Sequence, residues 1–447
     1  MDKIDILNRE SFVEDLVRMV ENIAEGKKSV SFAINGTWGC GKSFVLDMLE
    51  EQLAQDQSDK YLIVHYNCWK YDYYEEPLIA TVTTIMDAIN EKINFLNEEQ
   101  REKIKGVLKA VGTTLLSISS NTLKTATGID VSKVFDVVKS GVDIGAAEFE
   151  KIQEYDALFG LKQALHSLQN TLNKISEQYT LVFLVDELDR CLPEYAIKVL
   201  ERLHHITEIT QNLIIIIAID KEQLKASVNH IFGFSEPESA EKYLKKFIQF
   251  SIPLDLGSTS PKIVEKYKDY ISLFKKELLP FEDSIEEYMQ ALFINVDARE
   301  QEQLVQRALL VHKLLYSDVK DYSFMCVELL IIILESYYHT KNVFTNWFGK
   351  FGLRIDPDIA LIPFSSFFNN KFNNAPFLIH RYPVGTIEHC VLQRADSLYG
   401  AIAYIWYKLF LEQSLITFSV SDSTIERLLD NNIMKLKKFV EMIKLIE

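Results

Sequence analysis

The sequence predicts an open α/β fold with a parallel central sheet, and two observations support this prediction. Short apolar runs bounded by polar residues have the composition of strands that are covered on both faces. These runs lie at 29–35, 61–66, 180–186, 213–219 and 247–254. The long segments between them, such as 41–55 and 193–209, show helical periodicity. Alternating strands and helices imply right-handed crossovers, so helices should cover both faces of the sheet in three αβα layers.

The rest of the chain is predicted to be mostly helical. Residues 101–150 are rich in small residues and interrupted by lysines, which indicates a packed helical insertion. From residue 262 onward strand patterns fade, and helical ones follow at 284–293, 299–316, 323–337 and 396–447, around a loop-rich aromatic stretch at 340–385. We therefore predict a first domain over 1–260, a helical extension over 261–340, and a mixed or helical region of unknown role over 341–447.

Composition narrows the class of protein. The chain has 447 residues, of which 48% are hydrophobic and 25% charged, as in soluble globular proteins. Its formal net charge of −16 disfavours non-specific nucleic-acid binding, which depends on Lys and Arg neutralising phosphates. The five cysteines form no CxxC pair, which predicts neither a zinc site nor a disulfide framework. The N-terminus lacks the apolar core of a signal peptide, and no uncharged apolar run is long enough to span a bilayer. These features predict a cytoplasmic protein.

Residues 36–43, GTWGCGKS, follow the first apolar run and open a helical segment. They fit the P-loop pattern GxxxxGK[ST], in which glycines let backbone N–H groups turn inward around phosphate oxygens at a helix N-terminus. Lys42 should reach the β- and γ-phosphates of a nucleoside triphosphate, and the Ser43 hydroxyl should bind Mg²⁺. The predicted nucleotide-binding set is Gly36, Thr37, Trp38, Gly39, Cys40, Gly41, Lys42, Ser43 and Phe44.

Acidic residues follow the third and fourth apolar runs. Asp186 and Glu187 end the run at 180–186 in a Walker B arrangement, where Asp186 would hold Mg²⁺ and Glu187 would act as general base. Asp189 and Arg190 fit an ion pair or a helix cap as well as they fit catalysis. Asp220 follows 213–219, where it would serve either as a sensor of the γ-phosphate or as the N-cap of the next helix, or as both.

These residues together resemble the KAP family of P-loop NTPases. The resemblance covers about residues 5–255 and is carried by blocks in a fixed order. They are DILNRESF, GTWGCGKS, HYNCWKYD, VFLVDELDRCLPE, VLERLHHI, IIIIAID and KYLKKFIQFSIPL. The resemblance implies ATP and Mg²⁺ as cofactors, and a sheet in which the P-loop strand lies next to the Walker B strand. Many KAP proteins carry transmembrane helices before Walker B, whereas this chain has the polar segment 101–150 there.

The resemblance also suggests roles for residues outside the two motifs. Arg9, in the N-terminal block, would lie near the base or ribose, although a surface position fits equally well. Trp69 is expected to pack beneath the second strand. Arg299 resembles the arginine on the helical extension of such enzymes, which touches the γ-phosphate in cis or across a subunit interface. Base selectivity between ATP and GTP is left open.

Three functional hypotheses follow. The first is an ATPase switch that controls self-association or a partner effector; the resemblance to soluble bacterial family members suggests a setting in anti-phage defence. The second is a scaffold that binds ATP with little hydrolysis. The third is a P-loop kinase or nucleic-acid motor, which the lack of an arginine-rich lid and the net charge of −16 disfavour.

Overall fold

The structure is a computed structural model of the chain. It describes residues 4–56, 60–73, 77, 80–81, 84–85, 87–89, 172–173, 175–234, 237–257, 259–274, 285–293, 296–315, 322–339, 379–384, 387–392, 417–419, 436, 438–439 and 442. The predicted insertion at 101–150, and most of the region 341–447, lie outside the described residues. Among the described residues, no helix is both long and apolar enough to cross a membrane.

Five parallel strands form the central sheet, and all five apolar runs are confirmed as strands. They are β1 (Val30–Asn35), β2 (Tyr61–Asn67), β3 (Thr180–Asp186), β4 (Leu213–Ile219) and β5 (Phe250–Pro253). All seven residues of β3 and all seven of β4 are buried. This burial explains the continuous apolar composition, because a strand covered on both faces has no solvent-facing side.

The order across the sheet is β2-β3-β4-β1-β5. The expected adjacency of the P-loop strand and the Walker B strand is therefore wrong. β4 lies between them and pairs with both, through Val30↔Ile214 on one edge and Leu181↔Leu213 on the other. The physical reason is that β4, LIIIIAI, is the most uniformly apolar strand. In the centre of the sheet it has a paired strand on each edge, so all seven of its residues are buried.

Contacts divide the chain into two compact units, Arg9–Asp255 and Met1–Asn8 with Leu256–Glu447. The first unit holds the parallel sheet. Its described helices are α1 (Glu10–Glu25), α2 (Lys42–Asp56), α3 (Pro193–Ile209), α4 (Lys221–Phe232) and α5 (Pro237–Leu244). Helix α1 buries Val13, Leu16, Val20 and Ala24, whose spacing of three and four residues places them on one face.

The second unit combines helices with a small sheet. Its described helices are α6 (Ile263–Lys266), α7 (Lys268–Ile271), α8 (Ile285–Leu292), α9 (Ala298–Leu315) and α10 (Tyr322–His339). Strands β6 (Ile379–Val384) and β7 (Ile387–Leu392) pair antiparallel, and β7 pairs in parallel with β8 (Thr417–Ser419). The loop expected at 379–384 and the helix expected at 417–419 are therefore wrong. The domain boundaries at 260 and 340 stay predictions.

The helical core of this second unit contains a buried polar group of three side chains. Glu328 on α10 is fully buried, His312 on α9 is 3% exposed and Tyr270 on α7 is 1% exposed. The Glu328 carboxylate accepts hydrogen bonds from the Tyr270 hydroxyl at 2.8 Å and from His312 Nδ1 at 2.9 Å. Burial raises the pKa of Glu328, while the hydrogen bonds from His312 and Tyr270 oppose that rise.

Candidate active site

The loop 36–43 leaves the carboxyl end of β1 and enters α2. It is fixed on both sides, because Gly36 N donates to Ile219 O of β4 and Leu254 N donates to Asn35 O. Gly39 and Gly41 have φ angles of 82° and 91°. L-residues with a Cβ rarely adopt such angles, and glycine adopts them without steric cost. These glycines therefore supply the backbone turns that a phosphate-binding loop requires.

Gly36 is needed for space, and its replacement should have a clear effect. A Cβ on residue 36 would lie 2.5 Å from Cys40 Sγ and 2.7 Å from Leu254 O. We expect Gly36→Ala to displace the loop and to cost about 1–3 kcal/mol of unfolding free energy, as for other overpacked sites. Urea unfolding measures this cost. The matched control is Gly26→Ala, where the nearest atom is Ile23 O at 3.4 Å; equal losses in both variants would contradict the steric argument.

Arg9 lies beneath this loop. Its side chain is 5% exposed, and Nη2 donates to Cys40 O at 2.7 Å and to Asp255 O at 2.5 Å. The surface position that the sequence allowed is therefore wrong. Contact with a base or ribose stays a prediction. Cys40 itself is fully buried, and burial raises the pKa of its thiol although Lys42 and Arg9 oppose that rise.

The Lys42 side chain folds back over its own loop. Its Nζ donates to Gly36 O at 2.9 Å and to Thr37 O at 3.2 Å. The same ammonium forms an ion pair with Asp189 Oδ2 at 3.5 Å. Its charge is therefore already compensated within the protein, and an incoming phosphate would have to draw it away from these oxygens.

Ser43 and Asp186 come together from different elements, α2 and the end of β3. The Ser43 hydroxyl is hydrogen-bonded to the Asp186 carboxylate, which also accepts from Glu187 N at 2.8 Å. Asp186 is 4% exposed, and this burial raises the pKa of its carboxyl against the effect of both hydrogen bonds. A hydroxyl and a carboxylate side by side are the hard oxygen ligands that Mg²⁺ prefers.

Glu187 has both carboxylate oxygens engaged. Oε1 lies 2.6 Å from Arg190 Nη1, and Oε2 accepts from Asn67 Nδ2 at 3.2 Å. Its backbone is left-handed, with φ 58° and ψ 25°, a conformation that non-glycine residues adopt mainly at turns and functional sites. The ion pair expected as one alternative for Arg190 is confirmed. Asn67, the last residue of β2, was not singled out in the sequence.

Comparison with known proteins identifies the family of this chain. The KAP family P-loop domain matches residues 9–306. This chain belongs to the KAP family. No curated protein matches it.

The solved structures that are similar to this chain include two that contain DNA. Aeropyrum pernix ORC1 in complex with DNA has 13% identity and a TM-score of 0.34, over 98% of this chain and 85% of that one. Drosophila ORC bound to DNA has 12% identity and a TM-score of 0.30, over 95% of this chain and 85% of that one.

At the end of β4, the KAP domain uses Asp220 as a helix cap. The Asp220 carboxylate accepts from Glu222 N at 3.1 Å and from Gln223 N at 3.3 Å, so the N-cap alternative is confirmed. Asn35, at the end of β1, accepts from Lys221 N at 2.9 Å in the same region. The sensor role of Asp220 stays a prediction.

Trp69 differs from its expected place. It is 53% exposed, because it lies in a short 3₁₀ turn (Trp69–Tyr71) after β2 ends, and not beneath the strand. The Arg190 guanidinium lies 5.7 Å from the centre of its ring. This arrangement places Arg190 between the indole of Trp69 and the carboxylate of Glu187.

The remaining predicted site residues range from exposed to half-buried. Trp38 is 51% exposed and Thr37 is exposed, while Phe44 is half-buried in the first turn of α2. Arg299 belongs to the second compact unit, where it is exposed in the first turn of α9. Its action on a γ-phosphate, in cis or in trans, stays a prediction.

A second group of metal-ligand side chains lies on α2 and β2. Asp47, Glu50 and His65 each offer a ligand atom, and these atoms lie within 4.8 Å of one another. His65 Nδ1 is 2.7 Å from Glu50 Oε2, an ion pair when the ring is protonated. Burial lowers the pKa of His65, but the hydrogen bond and charge of Glu50 outweigh it and raise the pKa overall. The hydrogen bond explains the group without a metal.

Proposed function

We propose that this chain is a Mg²⁺-dependent ATPase whose nucleotide state controls self-association or contact with a partner effector. The observation that carries the proposal is the convergence of Lys42, Ser43, Asp186 and Glu187 at the carboxyl ends of β1 and β3, which flank β4. Open α/β sheets bind their ligands at this edge. Membership of the KAP family supports the binding of a nucleotide. A setting in anti-phage defence is part of the proposal and rests on the family resemblance alone.

The residues present fit a magnesium ion. Ser43 and Asp186 would hold it, the first directly and the second through water, and the ion would supply neutralisation of charge on the β- and γ-phosphates. The hydrogen bond between their side chains supports this assignment, because it places two hard oxygen donors together before any cation arrives.

The protein's own side chains have two tasks in this mechanism. Lys42 moves from the carbonyl oxygens of Gly36 and Thr37 to the phosphate oxygens, where its charge stabilises the transferring group. Glu187 accepts a proton from the attacking water through a lone pair that its contacts with Arg190 and Asn67 leave open. These contacts fix the direction of the carboxylate, so a partner or a second copy that moves Arg190 or Asn67 would change how the base meets the water.

One observation favours a second candidate, a scaffold that binds ATP with little turnover. Both Glu187 oxygens are engaged by Arg190 and Asn67 in the state described. If these contacts hold the carboxylate away from the attacking water, the P-loop would still bind ATP, and the protein would act by nucleotide-dependent assembly alone.

The test is Mg²⁺-dependent phosphate release by the purified full chain beside Lys42→Ala. We expect turnover in wild type and a reduction of about 10²- to 10³-fold in the variant, as for the loss of one transition-state donor. Lys28→Ala, at an exposed position, is the matched control and should retain wild-type turnover. Binding of ATP without turnover in wild type would support the scaffold; absence of both would overturn the proposal.

A further inference from the structure

Asp189 lies in the short 3₁₀ turn Leu188–Arg190 after β3, and its carboxylate is almost fully buried, with 2% of the side chain exposed. One oxygen, Oδ2, contacts three residues from two other segments, the P-loop and the end of β4. It accepts from Trp38 Nε1 at 3.1 Å and from Asp220 N at 2.8 Å, and it lies 3.5 Å from Lys42 Nζ. A carboxylate that serves only as a local cap would contact its own turn, so these contacts call for another explanation.

The contact with Lys42 has an electrostatic consequence. Two opposite charges buried together compensate each other, and removing one leaves the other uncompensated at a high cost. Lys42, with 10% of its side chain exposed, is therefore balanced by Asp189 before a phosphate arrives. A bound triphosphate would compete with Asp189 for the same ammonium and would be repelled by the nearby carboxylate.

The contacts with Trp38 and Asp220 have a mechanical consequence. Trp38 is the third residue of the P-loop, and Asp220 N lies at the junction of β4 and α4. A single buried oxygen thus connects the loop after β1 to the end of β4. Both donors are neutral N–H groups, so an amide oxygen in the same place can still accept from them, although less strongly than the carboxylate.

We propose that Asp189 is a positioning residue with two functions: it holds Lys42 as an exchangeable counter-ion until nucleotide binds, and it tethers the P-loop through Trp38 to the β4–α4 junction. The first function rests on the proposed binding of ATP; the second does not. Asp189 touches no phosphate in this scheme. It lowers the affinity of the free enzyme for ATP while it keeps the loop in place.

The first experiment measures ATP affinity by calorimetric titration in the presence of Mg²⁺, in a Glu187→Gln background that prevents turnover. Asp189→Asn keeps an oxygen for both N–H donors and removes the charge that competes for Lys42. We expect it to bind ATP about tenfold more tightly, since the free state then lacks the counter-ion and the bound state lacks the repulsion. Asp15→Asn, at an exposed position on α1, is the matched control and should leave the affinity unchanged.

The second experiment needs no nucleotide. A double-mutant cycle with Trp38→Phe and Asp189→Ala, measured by urea unfolding, isolates the coupling between the indole N–H and the carboxylate. Non-additive losses support the tether, and additive losses overturn it. Should Asp189→Ala fail to fold, the cycle with Asp189→Leu and Trp38→Phe replaces it, with the same two outcomes, because leucine fills the space of the carboxylate and cannot accept a hydrogen bond.

The two proposals fail in different ways. If the Glu187→Gln background binds ATP but Asp189→Asn binds it no more tightly, the counter-ion function is wrong and the proposed function stands. If neither the background nor wild type binds ATP, the proposed function fails and the counter-ion function fails with it. The coupling between Trp38 and Asp189 then still decides whether Asp189 tethers the loop.

Discussion

Glu187→Gln should abolish turnover while ATP stays bound. The amide cannot accept a proton from the attacking water, and loss of a positioned general base reduces rates by about 10²- to 10⁴-fold. The amide has nearly the shape of the carboxylate and retains an oxygen that can accept from Asn67 Nδ2, so the fold around β2 and β3 should be kept. Steady-state phosphate release and calorimetric binding of ATP measure the two effects separately.

The matched control is Glu194→Gln, an exposed position in the first turn of α3. It removes one negative charge seven residues after Glu187 in the sequence and should leave turnover unchanged. Wild-type turnover in Glu187→Gln would assign the general base to another residue. No turnover in wild type or in either variant, with ATP bound by all three, would favour the scaffold hypothesis.

Glu328→Ala should be the most destabilising substitution among those considered. It removes the carboxyl group that Tyr270 and His312 contact in the core of the second unit. Two buried polar groups lose their partner, at about 1–3 kcal/mol each, and a cavity is left beside them. Glu328→Gln keeps the volume and one oxygen acceptor, so a smaller cost of about 1–3 kcal/mol is expected. Urea unfolding measures both, and Glu302→Ala, exposed on α9, is the control.

The difference in unfolding free energy between wild type and Glu328→Gln should depend on pH, and the shift in the pKa of Glu328 fixes its direction. Burial raises the pKa of Glu328 above its ordinary value of 4.5, so the folded state binds this proton more tightly than the unfolded state. The stability that Glu328 contributes is therefore fully present below pH 4.5 and is lost as pH rises through the folded pKa. The advantage of wild type over Glu328→Gln should shrink as pH increases from 4.5, and an advantage that grows would contradict the sign.

Local patterns predicted the sheet well and the contacts within the site poorly. Strands β3 and β4 are continuous apolar runs, which strands covered on both faces require, and the helix at 193–209 begins and ends as predicted. The order of the strands depends on which edges pair, and this is not encoded in any one run. β6 and β7 were missed because the Gly385-Thr386 pair between them was obscured by the aromatic, asparagine-rich composition around it.

In the site, too, the residues that belong to sequence motifs were predicted, and the contacts between distant segments were not. Lys42, Ser43 and Asp186 belong to motifs whose spacing fixes their chemistry. The contact of Asn67 with Glu187 was not predicted, because Asn67 ends β2 and its place beside Asp186 depends on a strand pairing that no single run encodes. The partner of Arg190 was not predicted either, because an ion pair, a helix cap and catalysis fitted that residue equally well. The two carbonyl oxygens that accept from Arg9 belong to residues far along the chain, where spacing carries no information.

The contacts of Arg9 connect the two ends of the first unit to the P-loop. Arg9 and Asp255 are the first and last residues of that unit, and one guanidinium joins Asp255 O to Cys40 O in the P-loop. The point where the chain enters the unit and the point where it leaves are thus held within reach of a single side chain. Tension applied to the polypeptide on either side of the unit would be passed to the loop through two hydrogen bonds, without crossing the sheet.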